Sequence, residues 1–172
     1  MNKTLSLLLL AGGCVLSCSS PVSIPITPLP YQYQQLSPQS LIGPEADIVE
    51  AVVRYEMQPV LSGNEVVPET CFLSIGRHDP TPEFLAKFAG CPIPVKPCSR
   101  AGDDGKGSVF DAAARHRGFI VFVDEISWLS DKRVAVKAGN LAGNLAAEWA
   151  VYELNPIDGK WTITKRNAYA VS

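Results

Sequence analysis

The sequence predicts an α+β protein in which an antiparallel β-meander sheet is covered by two main helices. Two observations carry the prediction. From Gly118 to the end, four stretches with the spacing of strands follow one another, each set off from the next by turn formers. Upstream, two stretches show helical spacing and end signals, Glu45 to Gln58 and Thr81 to Gly90. A content of 47% hydrophobic residues in 172 gives one domain enough apolar material for a core.

The elements follow in chain order. Residues 1–17 have the layout of a secretory signal: Asn2-Lys3 precedes an apolar run from Leu5 to Leu16 that is too short to span a bilayer. Residues 18–43 form a tether rich in proline, serine and glutamine, expected to be extended and poorly ordered. No residue between Lys3 and Glu45 is charged. Residues 44–172 make up the single domain.

The first helix is expected from Glu45 to Gln58. Pro44 suits its first position, Glu45 and Asp47 favour the positive end of its dipole, Glu50 and Arg54 are spaced to pair, and Pro59 ends it. Its apolar stripe is Ile48, Ala51, Val52 and Tyr55. A strand over Thr70 to Ile75 comes next. The second helix is capped by Thr81, starts at Pro82, carries a Glu83–Lys87 pair and closes at Gly90. Prolines keep Pro92 to Cys98 extended, Arg100 to Gly107 reads as a loop, and Ser108 to Arg117 is spaced like a capped short helix, with a disordered excursion as the alternative.

The four strands of the meander are 118–129, 133–138, 144–154 and 159–171. Phe119 to Val123 is apolar at every position and fits a central strand. Val134, Val136 and Ala138 alternate with Arg133 and Lys137. Leu145, Ala147, Trp149 and Val151 share one face of the third strand, with Glu148 and Tyr152 on the other. Asp158-Gly159 supplies the hairpin turn into the fourth. Residues 138–145, a short Ala-Gly-Asn-Leu doublet, read as a loop or bulged hairpin.

A net charge of −2 with scattered basic residues offers no footprint for nucleic acid. His78-Asp79 stands at a strand-to-helix junction, where a capping role for Asp79 or Thr81 accounts for the polar residues better than acid–base chemistry does. His116, between Arg115 and Arg117, reads as a solvated charge cluster. Asp103, Asp104 and Asp111 lack the spacing of a calcium loop, and Gly105-Lys106-Gly107-Ser108 lacks that of a phosphate loop. Cys91 and Cys98 lack zinc spacing. No metal, cofactor or catalytic residue is therefore expected. Trp128, Trp149 and Trp161 read as sheet-face aromatics, with a shared aromatic groove as the alternative.

The end of the signal resembles that of a bacterial lipoprotein. Cys18 follows Val15 and Ser17, and Cys14 follows Ala11 and Gly13, in the places such a signal reserves for an aliphatic and a small residue. The resemblance implies lipidation at Cys18, with Cys14 as the alternative and a plain secretory signal as the other reading. It implies anchoring in a membrane by acyl chains, and the outer membrane where there are two, because Ser19 rather than Asp follows Cys18. The order "EAVVRY", "CFLSIG", "DPTPEFLAKFAG", "PVKPCS" and "ISWLSD" resembles a group of small uncharacterised exported bacterial proteins. Helix-first order before a terminal meander is similar to cystatin-like and nuclear-transport-factor-2-like folds, by analogy.

Export would place Cys71, Cys91 and Cys98 where thiols oxidise. Three prolines between Cys91 and Cys98 hold them some 20 Å apart at about 3.1 Å per residue, beyond the roughly 7 Å that a disulfide spans. A Cys71–Cys98 disulfide is expected first and Cys71–Cys91 second. The expected function is a non-enzymatic envelope module that binds or supports an envelope protein partner, or alternatively an inhibitor or immunity-type lipoprotein. A concave, apolar pocket lined by His78 or Asp124 would favour an enzyme.

Overall fold

A computed structural model describes residues 32–62, 68–105, 107–143 and 147–171. Cys14, Cys18, the signal and most of the tether lie outside them. The described fold is α+β and mostly sheet. No helix among the described residues is long and apolar enough to cross a membrane.

The sheet is built on β6 (Gly118–Ser130), β7 (Arg133–Leu141), β8 (Ala147–Ile157) and β9 (Lys160–Val171), an antiparallel meander as the sequence predicts. Asp158 and Gly159 have φ of 51° and 75°, the two positive values of a type I′ hairpin turn. The sheet does not stay antiparallel. β2 (Thr70–Ile75) lies parallel to β6, and β3 (Val95–Pro97) lies parallel to β2. The chain between β2 and β3 crosses back through the short helix α2 (Pro82–Ala86), so consecutive strands run the same way. Thr81 caps α2, its Oγ1 accepting from the Phe84 amide at 3.2 Å.

The folded unit begins before Pro44. β1 (Gln34–Gln35) pairs with the second half of β6, where β2 has ended, and the Leu36 amide donates to the Asp124 carbonyl at 2.9 Å. Leu36 and Pro38 are buried. This part of the expected tether is apolar enough to dock, because glutamines can complete a strand edge while Leu36 joins the core.

Helix α1 (Pro44–Ser62) crosses one face of the sheet and touches β6, β7 and β9. It runs on past Pro59, although Pro59 has no amide to give the Tyr55 carbonyl. Its buried stripe is Ile48, Val49, Val52, Val53, Glu56 and Met57, while Ala51 and Tyr55 are half-buried at its margin. It shares one buried core with Phe119, Val121 and Val123 of β6, Val134 and Val136 of β7, and Ala150, Tyr152 and Leu154 of β8. The Tyr152 side of β8 thus faces the helix, and Trp149 faces away from it. Each fully buried Val, Leu, Ile or Phe contributes about 1.5–3 kcal/mol, so this face dominates stability.

The second face is covered only in part. β4 (Ala101–Asp103) and β5 (Val109–Asp111) form a hairpin near Ile120 and Leu141. Residues 112–114 form a turn rather than the expected short helix, because Asp111 caps it locally: its Oδ1 accepts from the Ala113 and Ala114 amides, both at 2.9 Å. Its Oδ2 meets Lys96 Nζ at 2.6 Å, and these partners hold the carboxyl well below the usual carboxylate range.

Candidate functional site

The uncovered part of the second face carries a cleft of about 430 Å³. Phe122 and Trp149, which line it, flank Gly139 in one row across β6, β7 and β8. A Cβ on Gly139 would lie 2.0 Å from the Glu148 carbonyl oxygen and 2.7 Å from the Phe122 ring. Only glycine lets the two flanking rings lean together, and their centroids are 5.6 Å apart at 43°.

Two bulges aim side chains at this row. Between Val123 and Glu125 the register with β7 slips by one residue, leaving Asp124 outside the ladder. Between Ala168 and Ala170 the register with β8 slips in the same way at Tyr169. Both bulged residues line the cleft, together with Arg77, Glu125 and Lys137. Arg77 comes from the tight turn after β2, with φ of 70°. The preceding Gly76 has φ of 55°, and a Cβ there would lie 1.8 Å from the Leu36 carbonyl oxygen. Glycine at this position therefore lets the docked β1 segment lie against the Arg77 turn.

The charges in the cleft differ in kind. Lys137 Nζ bonds Glu125 Oε2 at 2.5 Å and lies 4.0 Å from the Tyr33 ring centroid. Asp124 is half-buried, and burial raises its pKa while Arg77 and Lys137 pull it back and Glu125 adds to the rise. Burial likewise raises the Tyr169 hydroxyl, with Lys137 opposing and Asp124 and Glu125 reinforcing.

A second polar cluster lies on the helix side of the sheet. Glu56, only 3% exposed, accepts from Asn140 Nδ2 at 2.6 Å and from the Tyr152 hydroxyl. Arg166 Nε donates to the Tyr152 oxygen at 3.1 Å, and its guanidinium pairs with Glu148. Burial and then Glu56 push the Tyr152 hydroxyl upward, while Glu148 and then Tyr152 hold the Arg166 proton more tightly still. The cluster ties α1 to β7, β8 and β9. Its sequence signal was a glutamate in register with Val52, Val53 and Ile48, a charge on an apolar stripe.

The predicted residues are scattered. His78 bridges back to Ile75 and lines a separate cleft of about 460 Å³ with Gln35, Leu36, Ser37 and Gln39, in which Asp124 takes no part. Asp79 is turned to the Ser99 amide at 2.8 Å. His116 Nδ1 lies 3.4 Å from the exposed Glu69 carboxylate. Asp103 and Asp104 accept backbone amides of their own loop, and no group of three or more metal-ligating side chains occurs among the described residues. The tryptophans part company: Trp128 and Trp161 meet edge to face at 5.7 Å, and Trp149 packs with Phe122. Lys87 bonds Asp47 and Glu50 rather than Glu83, whereas Glu50 also bonds Arg54 as its spacing predicts.

The expected Cys71–Cys98 disulfide is not formed, and Cys71, Cys91 and Cys98 are free thiols. Cys71 pairs in register with Val95, so Cys98 is displaced three residues along the strand direction. At about 3.3 Å per residue that separation exceeds the roughly 7 Å limit. Burial, then Cys91, raises the Cys71 thiol to about 12, and burial, then Asp79, raises Cys98, so both favour the protonated form.

Compared with protein-family models, curated proteins and solved structures, the chain matches none.

Proposed function

We propose that the chain is an envelope lipoprotein, anchored through Cys18, whose domain is a non-enzymatic binding module with its ligand site in the cleft on the second sheet face. The observation that carries this reading is the convergence of two bulges, at Asp124 and Tyr169, on one aromatic row. Bulges gather where a sheet must re-aim side chains beside a site, and a few polar groups around aromatic walls are the usual make-up of a small-molecule site. The uncharged run between Lys3 and Glu45 and the Val15-Leu16-Ser17 box before Cys18 support the anchor. Export to a cell envelope, by preference the outer membrane, follows from the same features.

The likeness to cystatin-like and nuclear-transport-factor-2-like folds is part of this reading. One long helix across an antiparallel meander favours it, and the parallel pairs of β2 with β6 and β3 depart from it. An inhibitor or immunity-type lipoprotein is the second reading. Trp128, 40% exposed and packed edge to face on Trp161, favours it as an aromatic surface for a protein partner.

Fractionation and thermal unfolding test the first reading together. Cys18→Ser is expected to release the protein from membranes, whereas release by Cys14→Ser alone contradicts the anchor. Small molecules extracted from the envelope are expected to raise the melting temperature of the wild type and not that of Trp149→Ala. Saturation at a hundred times the dissociation constant adds about 2.7 kcal/mol.

A further inference from the structure

We propose that the cleft binds a zwitterion, an α-amino acid or a short peptide, with its carboxylate on Arg77, its ammonium on Asp124 and an apolar side chain against Phe122 and Trp149. The inference rests on the binding-module reading and names its ligand class.

The argument starts from the four charged side chains that line the cleft, two of each sign. Glu125 and Lys137 neutralise one another at 2.5 Å. Arg77 and Asp124 differ: among the described residues neither side chain has a hydrogen bond or a contact ion pair, although each lies within the other's field. One cation and one anion, neither held in a contact ion pair among the described residues, therefore line the same space.

A ligand of a single sign fits this arrangement poorly. An amine drawn to Asp124 would meet Arg77, and a carboxylate drawn to Arg77 would meet Asp124. A zwitterion satisfies both free groups at once, and Arg offers a carboxylate its paired donors. The remaining lining is apolar, from Phe122, Trp149, Tyr169 and two alanines, which suits an apolar side chain and, next to Asp124, an ammonium. A volume of about 430 Å³ is ample for one amino acid or dipeptide. It falls low in the range of roughly 300–1,000 Å³ for small-molecule sites.

Calorimetric titration of the detergent-solubilised full chain tests the proposal with L-leucine, L-alanyl-L-leucine, 3-methylbutylamine, 4-methylpentanoate and N-acetylglucosamine. Leucine or alanyl-leucine is expected to bind, the tighter of the two showing whether the source is an amino acid or a peptide. The amine and the acid, each lacking one charge, are expected to bind roughly 10- to 100-fold more weakly. Arg77→Gln should weaken the zwitterion and the acid but not the amine, and Asp124→Asn the zwitterion and the amine but not the acid. Both positions are exposed or half-buried, and the analogue series on the wild type tests the proposal without either variant. No heat from either zwitterion, or equal binding of the single-charge analogues, would overturn it. Trp149-dependent binding of the neutral sugar with both zwitterions silent would also overturn it, yet leave the binding module standing. A ligand whose binding ignores Trp149→Ala would remove the binding module as well.

Discussion

Single residues set the electrostatics of this protein, and two of them sit where their environment changes their proton affinity in opposite senses. Asp111 is held low by Lys96 and by the amides of its own turn. A carboxyl with a depressed folded pKa adds stability that is present above its unfolded value of about 4 and is lost as pH falls through the folded one. Lys96→Met is expected to lower the midpoint of urea unfolding at pH 7 and to flatten its decline below about pH 4. Asp124 is the reverse case, because burial raises it. Its favourable contribution is full below about pH 3.9 and is lost as pH rises through the shifted value, so Asp124→Asn should be slightly more stable than the wild type at pH 7. An unchanged pH profile in either variant would contradict the corresponding assignment. Glu56 acts through its hydrogen bonds. Tyr152→Phe removes one of its donors and the acceptor of Arg166, and is expected to cost about 1–3 kcal/mol in urea unfolding. Glu56→Gln should cost a similar amount, and the double variant less than the sum, because the groups form one network.

At the scale of elements, glycines and bulges decide where the site is. Gly139→Ala places a methyl group against the Glu148 carbonyl and the Phe122 ring, and is expected to destabilise β7–β8 pairing. Amide exchange should accelerate first in those strands, and protection equal to the wild type would contradict the packing described for the aromatic row. The meander, the Asp158-Gly159 turn, Thr70–Ile75 and the Thr81 cap were all legible in the sequence, because each is fixed by alternation or by a local turn residue. The parallel placement of β2 and β3 was not legible, since crossover direction depends on what packs beneath. The bulges at Asp124 and Tyr169 escaped for a related reason: a one-residue slip leaves the local pattern intact and is visible only once both partner strands are placed. Asp124 was named in the sequence as a pocket residue, but Arg77, Phe122 and Tyr169 were not, for nothing local joins a turn after residue 75 to a strand ending at 171. The cysteines show the same limit. The proline argument set Cys91 and Cys98 apart, yet the Cys71–Val95 register then moved Cys98 out of reach. Non-reducing peptide mapping is expected to recover Cys71 and Cys98 unlinked, and a joined pair would overturn that register.

For the whole molecule, the two sheet faces divide the work. One is closed by α1 and holds the core together with the Glu56 network, and the other keeps an aromatic, charge-lined cleft open to solvent. Chain attachment at Cys18 and docking of Gln34–Leu36 on β6 would present the domain at a membrane through its N-terminal side. The measurement that tests the central claim most directly is the map of backbone amide shifts in the isotope-labelled protein as small molecules extracted from the envelope are added. The account predicts that the shifts cluster at Arg77, Phe122 to Glu125, Lys137 to Gly139, Trp149 and Tyr169. Shifts confined to Trp128, Ile157 and the turn at Asp158, with the cleft silent, would contradict it.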